Sequence, residues 1–422
     1  MDRSAPDRSS PMSQTAPART LDAAPAVDRG DTSPAVRTFD GVLCFGGVDW
    51  WYHNRGHYDL QMMRELSASM PVVYVNSIGM RVPRPGKGGM FARRVARKLK
   101  SFSRGLVRVR ERFWVLSPVV APAGLGAGAN AAALTLQVRR AARRAGIERP
   151  LVWVACPPAE PVVDRLEPAG VVYQRTDRFE EFRGVDRARI AAFDVALKDR
   201  ADATLFCSSW LMEQERDQPR AAVFVDHGVD ADRFEDAGSS GDGPADTAAL
   251  PRPLVGFVGG IDAHTFDPEL FVETARALPD ATFMLVGACS LPEGWCPLDN
   301  VHLLGQRPYD EVAGYMAAAD ALIMPWNQSE WIRACNPVKL KEYLAVGRPI
   351  VSTPFPELAR YGELVRVAST PTEFAAQIRR ALDEPHDAAP GRDLVREQTW
   401  TAKADAVLDA LELRGLQPEA AR

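Results

Sequence analysis

The stretch NPVKLKEYLAVGRPIVSTP, residues 336–354, decides the fold of the second half of the chain. Asn336 is predicted to cap the N-terminus of a helix, and Pro337 follows where a first helical residue tolerates the missing N–H. The residues Val338–Val346 predict a short helix, which Gly347 ends. The segment PIVST then predicts a buried strand. A helix that leads directly into a buried strand is typical of an α/β fold.

Two charged residues of this helix share a face. Lys339 lies in the first turn, beside free backbone N–H groups and the positive end of the helix dipole, where an anion such as a diphosphate would bind. Glu342 follows three residues later, and its carboxylate there can accept hydrogen bonds from two vicinal hydroxyls, as on a ribose. An ordinary helix with a solvated Lys–Glu pair explains the spacing equally well, so the spacing alone leaves both interpretations open.

Composition and charge restrict the class of protein. A length of 422 residues predicts two to three domains, and a charged fraction of 25% is typical of a globular chain. Fifty-one basic and 55 acidic residues give a net charge of −4, which excludes a global field for nucleic acid. No apolar run reaches the ~18 residues that span a bilayer. The N-terminal residues contain no apolar signal-peptide core, and the six scattered cysteines indicate reduced thiols in a cytosolic enzyme.

Apolar runs and helical periodicity alternate along the chain and predict two α/β domains. Runs such as GVLCF, PVVYV and LVWVA are typical of parallel strands buried on both faces. Two doubly wound domains leave a cleft beyond the carboxyl ends of their strands, where ligands bind. The predicted organisation is a disordered tail at 1–38, a first domain at 39–234, a linker at 235–252, a second domain at 253–398, and a C-terminal helix at 399–422 that crosses back to the first domain.

A basic segment interrupts the first domain at 81–112. It contains twelve arginines and lysines but only one acid, Glu111, and apolar residues are interleaved at roughly helical spacing. This pattern predicts an amphipathic helix that lies on an anionic membrane surface. Nucleic acid is the rival partner, which the sparse aromatic residues disfavour, and a solvated charged helix is the simplest alternative.

Four motifs of the second half occur in order and at fitting intervals: GFVGGID, VHLLGQRPYDEV, ADALIMPW and NPVKLKEYLAVGRPIVSTP. Together they resemble the nucleotide-sugar-binding half of GT-B glycosyltransferases of the group 1 (family 4) type, nearest to the bacterial exopolysaccharide and teichuronic-acid branch. HGVDADRF at 227–234 also resembles the family's inter-domain loop, whereas the first half is similar mainly in layout. The resemblance implies a GT-B fold, with two Rossmann-like doubly wound domains facing a cleft, and a glycosyltransferase activity.

The resemblance also implies a set of donor-binding residues. Gly259 and Gly260 match the glycine turn beside the donor diphosphate, which needs a backbone without side chains in the way. Lys339 matches the family's phosphate-binding lysine, and Glu342 matches the glutamate that grips the donor ribose. The other members of the implied donor site are Arg307, Tyr309 and Pro337.

One position departs from the family pattern. Many relatives have a second glutamate eight residues before the one that matches Glu342, and that position here is Ala334. The departure leaves the donor sugar and the stereochemical outcome open. It also keeps two alternatives, a nucleotide-sugar epimerase of the same fold and a catalytically silent scaffold that binds a nucleotide sugar. A Rossmann-type oxidoreductase is disfavoured because no GxGxxG follows a predicted strand.

Acidic and basic residues at predicted strand ends are the catalytic candidates. Asp177, which ends VVYQRTD, is the first candidate for a general base that takes a proton from an acceptor hydroxyl. Asp49 is the second candidate and His227 is the third. Arg55 and His57 are predicted to hold an acceptor phosphate. In this architecture cationic side chains and helix N–H groups replace a metal at the leaving diphosphate, so no metal and no further cofactor is expected.

These observations predict a cytoplasmic glycosyltransferase at the inner face of the plasma membrane. It would move a sugar from a nucleoside diphosphate donor, with UDP expected, to a lipid-linked or polysaccharide acceptor in cell-envelope or exopolysaccharide synthesis. The expected partners are the nucleotide sugar, a lipid-linked glycan and an anionic membrane surface bound through 81–112, and not nucleic acid.

Overall fold

Two sheets, each covered by helices, form the two lobes of the molecule. The computed structural model describes residues 36–52, 56–80, 100–120, 127–182, 184–241 and 243–419. Both lobes belong to one unit, Ser33–Arg422. The arrangement confirms the predicted doubly wound α/β class.

The first lobe is built on a sheet of eight strands. Numbered along the chain, the strands of this half are β1 Arg37–Phe39, β2 Gly41–Phe45, β3 Val72–Val75, β4 Leu106–Arg110, β5 Phe113–Leu116, β6 Pro150–Val154, β7 Gly170–Arg175, β8 Ala203–Phe206 and β9 Ala222–Phe224. The sheet has the order β4-β5-β3-β2-β6-β7-β8-β9. Strand β4 pairs antiparallel with β5 at the edge, and the other neighbours are parallel.

The second lobe is built on an all-parallel sheet of six strands. These are β10 Leu254–Val258, β11 Thr282–Val286, β12 Val301–Gly305, β13 Ala321–Met324, β14 Ile350–Ser352 and β15 Arg366–Val367. Their order, β12-β11-β10-β13-β14-β15, is that of a Rossmann sheet, and the direction of strand progression reverses between β10 and β13. The same reversal lies between β2 and β6 in the first lobe.

Helices cover both faces of each sheet. They are α1 Tyr58–Leu66, α2 Ala127–Ala145, α3 Glu160–Val163, α4 Arg187–Arg200, α5 Ser209–Glu215, α6 Ala231–Ser240, α7 Pro268–Ala277, α8 Val312–Ala318, α9 Glu330–Arg333, α10 Val338–Val346, α11 Pro371–Asp383, α12 Ala389–Arg396 and α13 Trp400–Glu412. Alternate residues of β2 enter different cores, since Val42 packs on one face and Leu43 on the other. This burial on both faces explains the continuous apolar runs in the sequence.

The last part of the chain returns to the first lobe. Helix α13 places Trp400 and Val407 in the same core cluster as Leu60 of α1. Strand β16, Leu416–Pro418, then pairs in parallel with β1. The predicted tail at 1–38 is therefore wrong at its last residues, because pairing with a strand far along the chain gives no local signal; residues 1–35 lie outside the described part.

Two further predicted segments differ from the structure. Residues 235–240 of the predicted linker 235–252 continue helix α6, which ends at Gly241 in the left-handed conformation (φ 68°). Within the predicted amphipathic helix 81–112, residues 106–110 form the edge strand β4, because they find a hydrogen-bonding partner in β5. Residues 81–99 lie outside the described part. Among the described residues, no helix has the length and apolar character needed to cross a membrane.

Polar contacts join the two lobes beside the cleft. The carboxylate of Glu357, which is fully buried in the second lobe, accepts hydrogen bonds from the hydroxyls of Ser208 at 3.0 Å and Ser209 at 2.8 Å. It also accepts the backbone N–H of Trp210 at 3.1 Å. Since these donors belong to the N-terminus of α5, a second-lobe carboxylate caps a first-lobe helix.

Candidate active site

The cleft between the lobes lies at the switch points of both sheets. Gly47 follows β2 and Ala155 follows β6 on the first-lobe wall, while Gly259 follows β10 on the second-lobe wall. The cleft encloses about 440 Å³. Ligands of open parallel sheets bind beyond the carboxyl ends of the strands at a switch point, so this cleft is the candidate active site.

Lys339 reaches from the first turn of α10 to the glycine turn after β10. A methyl group on Gly259 would lie 2.1 Å from Nζ of Lys339, so the absence of a side chain leaves room for the ammonium. The rings of Phe257 and Trp326 have their centroids 4.8 and 5.5 Å from the same nitrogen. Two aromatic rings therefore lie beside the ammonium and attract its charge.

Burial changes the acid–base chemistry of this wall. It lowers the pKa of Lys339 to about 8, although the charge of Glu342 opposes the shift. It raises the pKa of Glu342 to about 7, against the hydrogen bond from Tyr309 and the charge of Lys339. The Tyr309 hydroxyl donates to Oε1 of Glu342 at 3.1 Å. An ammonium, a carboxylate and a phenol thus line one wall, which suits a ligand that carries both phosphates and hydroxyls.

Asp177 lines the opposite wall, just after β7. Burial raises its pKa to about 6, although a hydrogen bond with Thr176 and the charge of Arg175 oppose the shift. A carboxylate with such a pKa is largely ionised at neutral pH and is more basic than an ordinary aspartate. It can therefore serve as a general base.

A buried ion network fixes the loop that carries Asp177. Arg175, only 1% exposed, lies 2.9 Å from a carboxylate oxygen of Glu180 and 3.0 Å from one of Glu215. Lys198 lies 2.6 Å from oxygens of both Glu215 and Asp194. These side chains come from β7, the turn after it, α4 and α5, so the network joins four elements behind the cleft wall.

His227 also lines the cleft, in the segment between the lobes. Burial and the nearby Lys341 ammonium lower its pKa to about 3, and a hydrogen bond to the backbone of Asn336 opposes the shift. Among the described residues, its Nδ1 is buried without a hydrogen-bond partner. An imidazole with so low a pKa is a weak base, which favours a neutral hydrogen-bonding role, and the catalytic role of His227 stays a prediction.

Two predicted site residues use their charges elsewhere. Asp49 accepts the backbone N–H of Trp51 at 3.0 Å and the Ser101 hydroxyl at 2.9 Å, inside the first lobe. Arg307 donates to Asp246 at 2.6 Å, away from the cleft. The described residues that line the cleft include neither of them. Because both side chains bind partners outside the cleft lining, the structure does not support their predicted catalytic and donor-binding roles, which stay predictions.

The other predicted site residues lie partly in the cleft and partly outside it or outside the described part of the chain. His57 lines the cleft, whereas Arg55 lies outside the described residues. Gly260 is exposed, one residue beyond Gly259. Helix α10 begins at Val338 with Pro337 as its N-cap, and Gly347 ends it at a φ of 78°, which confirms the predicted helix.

The predicted N-cap is wrong. The side-chain amide of Asn336 donates to the Cys207 carbonyl at 2.8 Å, so it joins the two lobes and makes no cap hydrogen bond.

Ala334, the position that departs from the family pattern the sequence resembles, is buried between the lobes. It is 1% exposed and forms a small apolar cluster with Phe206 and Leu211 of the first lobe. A carboxylate at this position would enter an apolar contact and be costly to ionise. Ala334 thus serves as a packing contact between the lobes.

The sequence interpretation missed several residues around the site. Phe182 and Trp331 line the cleft from opposite lobes with ring centroids 6.3 Å apart, and no local pattern marks either. Lys341 was also missed. Its spacing of two residues from Lys339 places it on another face of α10, and this spacing was the available signal for a separate role. Its ammonium lies 2.8 Å from the buried carboxylate of Asp226. Burial alone would raise the pKa of Asp226, but Lys341 and Lys403 lower it to about 2.

Comparisons with known proteins agree with this geometry. Residues 252–384, which include Gly259, Lys339 and Glu342, match the family model of the glycosyl transferases group 1. The match covers less than half of the chain, and over these residues the chain is similar to a family of glycosyl transferases.

The chain is also similar to a protein of Bacillus subtilis (strain 168), the putative teichuronic acid biosynthesis glycosyltransferase TuaH. It is 29% identical over 251 residues, which cover 55% of this chain and 61% of TuaH. The match thus spans about three fifths of the relative's length.

Solved structures establish the GT-B fold of the chain. Sucrose-phosphate synthase from Thermosynechococcus elongatus superposes with a TM-score of 0.66 at 15% identity, over 88% of this chain and 98% of that one. Anabaena HepE in complex with UDP and glucose superposes with a TM-score of 0.63 at 12% identity, over 89% and 99%. At these identities the likeness concerns the fold alone, and it confirms the predicted GT-B architecture.

Proposed function

We propose that the protein is a glycosyltransferase that moves a sugar from a nucleoside diphosphate donor to a glycan acceptor in cell-envelope or exopolysaccharide synthesis. The observation that carries the proposal is the fit of the Lys339 ammonium into the space left by Gly259, on the same wall as Glu342. The similarity to TuaH, which is named as a putative teichuronic acid biosynthesis glycosyltransferase, supports the cell-envelope assignment. The UDP bound in the HepE structure supports UDP as the donor nucleotide.

The two walls of the cleft have separate roles in the proposed reaction. Lys339 and the N–H groups at the start of α10 bind the diphosphate and stabilise its charge as the bond to the anomeric carbon breaks. Glu342, with Tyr309 beside it, binds the donor ribose. Asp177 on the other wall accepts the proton of the acceptor hydroxyl as that oxygen bonds to the anomeric carbon. In this scheme the ammonium neutralises the leaving group, and no metal ion is required.

The acceptor in this proposal is a lipid-linked or polysaccharide glycan, met by the enzyme at the cytoplasmic face of the plasma membrane. The basic segment 81–112 supports this location, since positively charged residues attract anionic lipid. His57 is proposed to contact the acceptor from the first-lobe wall.

A donor-binding experiment tests the assignment directly. Titration calorimetry with UDP should give binding to the wild type and at least about tenfold weaker binding to Gly259→Ala, in which the new methyl group displaces the ammonium. Gly128→Ala is a matched control, because nothing lies within 4 Å of the added methyl group and binding should be unchanged. Wild-type affinity in Gly259→Ala would contradict the diphosphate site.

A turnover experiment then tests the chemistry. Asp177→Asn should reduce kcat for transfer by about 10² to 10⁴-fold with little change in UDP affinity, as expected for loss of a general base. Unchanged turnover would remove Asp177 from the mechanism. Conversion of a donor sugar to its epimer without any acceptor would instead identify an epimerase.

A further inference from the structure

A second cavity lies on the first lobe, far along the sheet from the cleft. It encloses about 460 Å³ between the edge strand β4, its neighbour β5 and the C-terminal half of helix α2. Leu106, Leu116 and Ala141 form its apolar floor. Because β4 and β5 are antiparallel and Leu106 pairs with Leu116, these two leucines lie side by side on the face of the sheet that α2 covers.

Three arginines surround this groove, namely Arg140, Arg143 and Arg144. All three are exposed, and none forms an ion pair with an acid among the described residues, whereas the neighbouring Arg139 pairs with Glu167. The C-terminus of a helix carries only about half a negative charge, so three guanidinium groups leave the groove strongly positive. An apolar floor beneath unpaired guanidinium groups suits a ligand that is both anionic and amphipathic.

Exposed aliphatic side chains extend the groove on one side. Leu136 is 45% exposed and Val119 is 58% exposed. Gln137 holds the Val119 backbone through two hydrogen bonds, at 2.8 and 2.9 Å, so Val119 is fixed beside the helix. Leu136 lies one helical turn before Arg140 and two turns before Arg144, on the same face of α2.

We infer that the groove between α2 and the β4–β5 edge is a docking surface for the anionic phospholipid bilayer, with Arg140, Arg143 and Arg144 on the lipid phosphates and Leu136 and Val119 in the acyl boundary. The inference rests on the membrane association in the proposed function and assigns it to described residues outside 81–99. Amphipathic surfaces of this kind bind through buried apolar area together with attraction to anionic lipid.

Vesicle co-sedimentation with the full chain tests the surface without any substrate. Vesicles of equal parts phosphatidylglycerol and phosphatidylcholine should bind the wild type, and vesicles of phosphatidylcholine alone should not. The triple variant Arg140→Gln/Arg143→Gln/Arg144→Gln should partition on the order of 100-fold more weakly, since each cation near anionic lipid contributes about 1 kcal/mol, or about fivefold. Replacing the same three arginines with lysine keeps the charge and should restore most of the binding.

A matched control removes the same charge from the second lobe. The variant Arg276→Gln/Arg379→Gln/Arg380→Gln changes three exposed helical arginines and should sediment like the wild type. An equal loss of binding in this control, or wild-type binding in the α2 variant, would overturn the inference. Calorimetry with UDP on the same α2 variant separates the two proposals, because donor binding should be unaffected whether or not the membrane contact is lost.

Discussion

At the scale of single residues, the cleft holds two charged side chains whose burial moves both pKa values toward neutrality. Lys339 and Glu342 could be placed on one wall from their spacing of three residues in a helix. The spacing could not show that the Tyr309 hydroxyl, 33 residues earlier, donates to the same carboxylate. Nor could it show that Asn336 turns its amide to the Cys207 carbonyl 129 residues away, since that partner exists only after the lobes meet.

The raised pKa of Glu342 makes a prediction about stability. Its pKa is about 7 in the folded protein against an ordinary glutamate value of 4.5, so the folded state holds a proton that the unfolded state releases between these values. Ionising the buried carboxylate therefore costs stability as pH rises from about 4.5 to 7, and the full cost applies above that range. Glu342→Gln removes the ionisation, so the variant should be more stable than the wild type at pH 8 by up to about 3 kcal/mol.

Denaturant unfolding at several pH values measures this difference. The stabilisation by Glu342→Gln should shrink as pH falls toward 5, while the variant should bind UDP more weakly at every pH. Glu293→Gln, at an exposed position, serves as the control and should show neither effect. A difference that does not depend on pH would show that the carboxylate is not buried as described.

At the scale of elements, ion pairs of the last residue of β7 fix the loop that follows this strand. Arg175 is the last residue of β7, and its guanidinium joins Glu180 of the following turn to Glu215 of α5. The sequence predicted the strand VVYQRTD from its apolar residues, and in the structure the strand ends at Arg175. It could not predict that a terminal arginine is buried, because its acidic partners lie five and 40 residues away.

This network makes a prediction about the loop. Arg175→Met leaves three carboxylates with only Lys198 as a buried cation, so it should destabilise the protein by about 3–5 kcal/mol, as breaking a buried ion pair does. Arg200→Met removes a partner of the exposed Asp164 and should cost under about 1 kcal/mol. Urea unfolding measures both variants. Equal costs would show that the network does not hold the loop.

At the scale of the whole molecule, charged groups join the two lobes at positions that no local sequence pattern predicts. The Rossmann order of both sheets follows from alternating strands and helices, which is why the architecture could be predicted. The distance between the lobes depends instead on pairs such as Glu357 with the start of α5 and Arg178 with Glu330, 3.8 Å apart. Such pairs join residues more than a hundred positions apart, beyond the reach of any local rule.

The cap that Glu357 provides makes a prediction about opening of the cleft. Glu357→Gln removes the charge that faces the helix dipole and weakens the hydrogen bonds to the serines, by roughly 1–2 kcal/mol. Hydrogen exchange of the amides in 208–211 should then accelerate by about tenfold. Glu373→Gln is the control, since Glu373 caps α11 within the second lobe and should leave those amides unchanged. Equal protection in both variants would exclude Glu357 as an inter-lobe contact.

The parallel pairing of β1 with β16 has a consequence for biosynthesis. A ribosome must translate the entire second lobe before Leu416 can meet Arg37 and before Trp400 and Val407 can cover helix α1. The nascent first lobe therefore exposes part of its apolar core during elongation, although its sheet is already complete. The lobe that is synthesised first is finished last, so the unfinished chain is a substrate for chaperones until its translation ends.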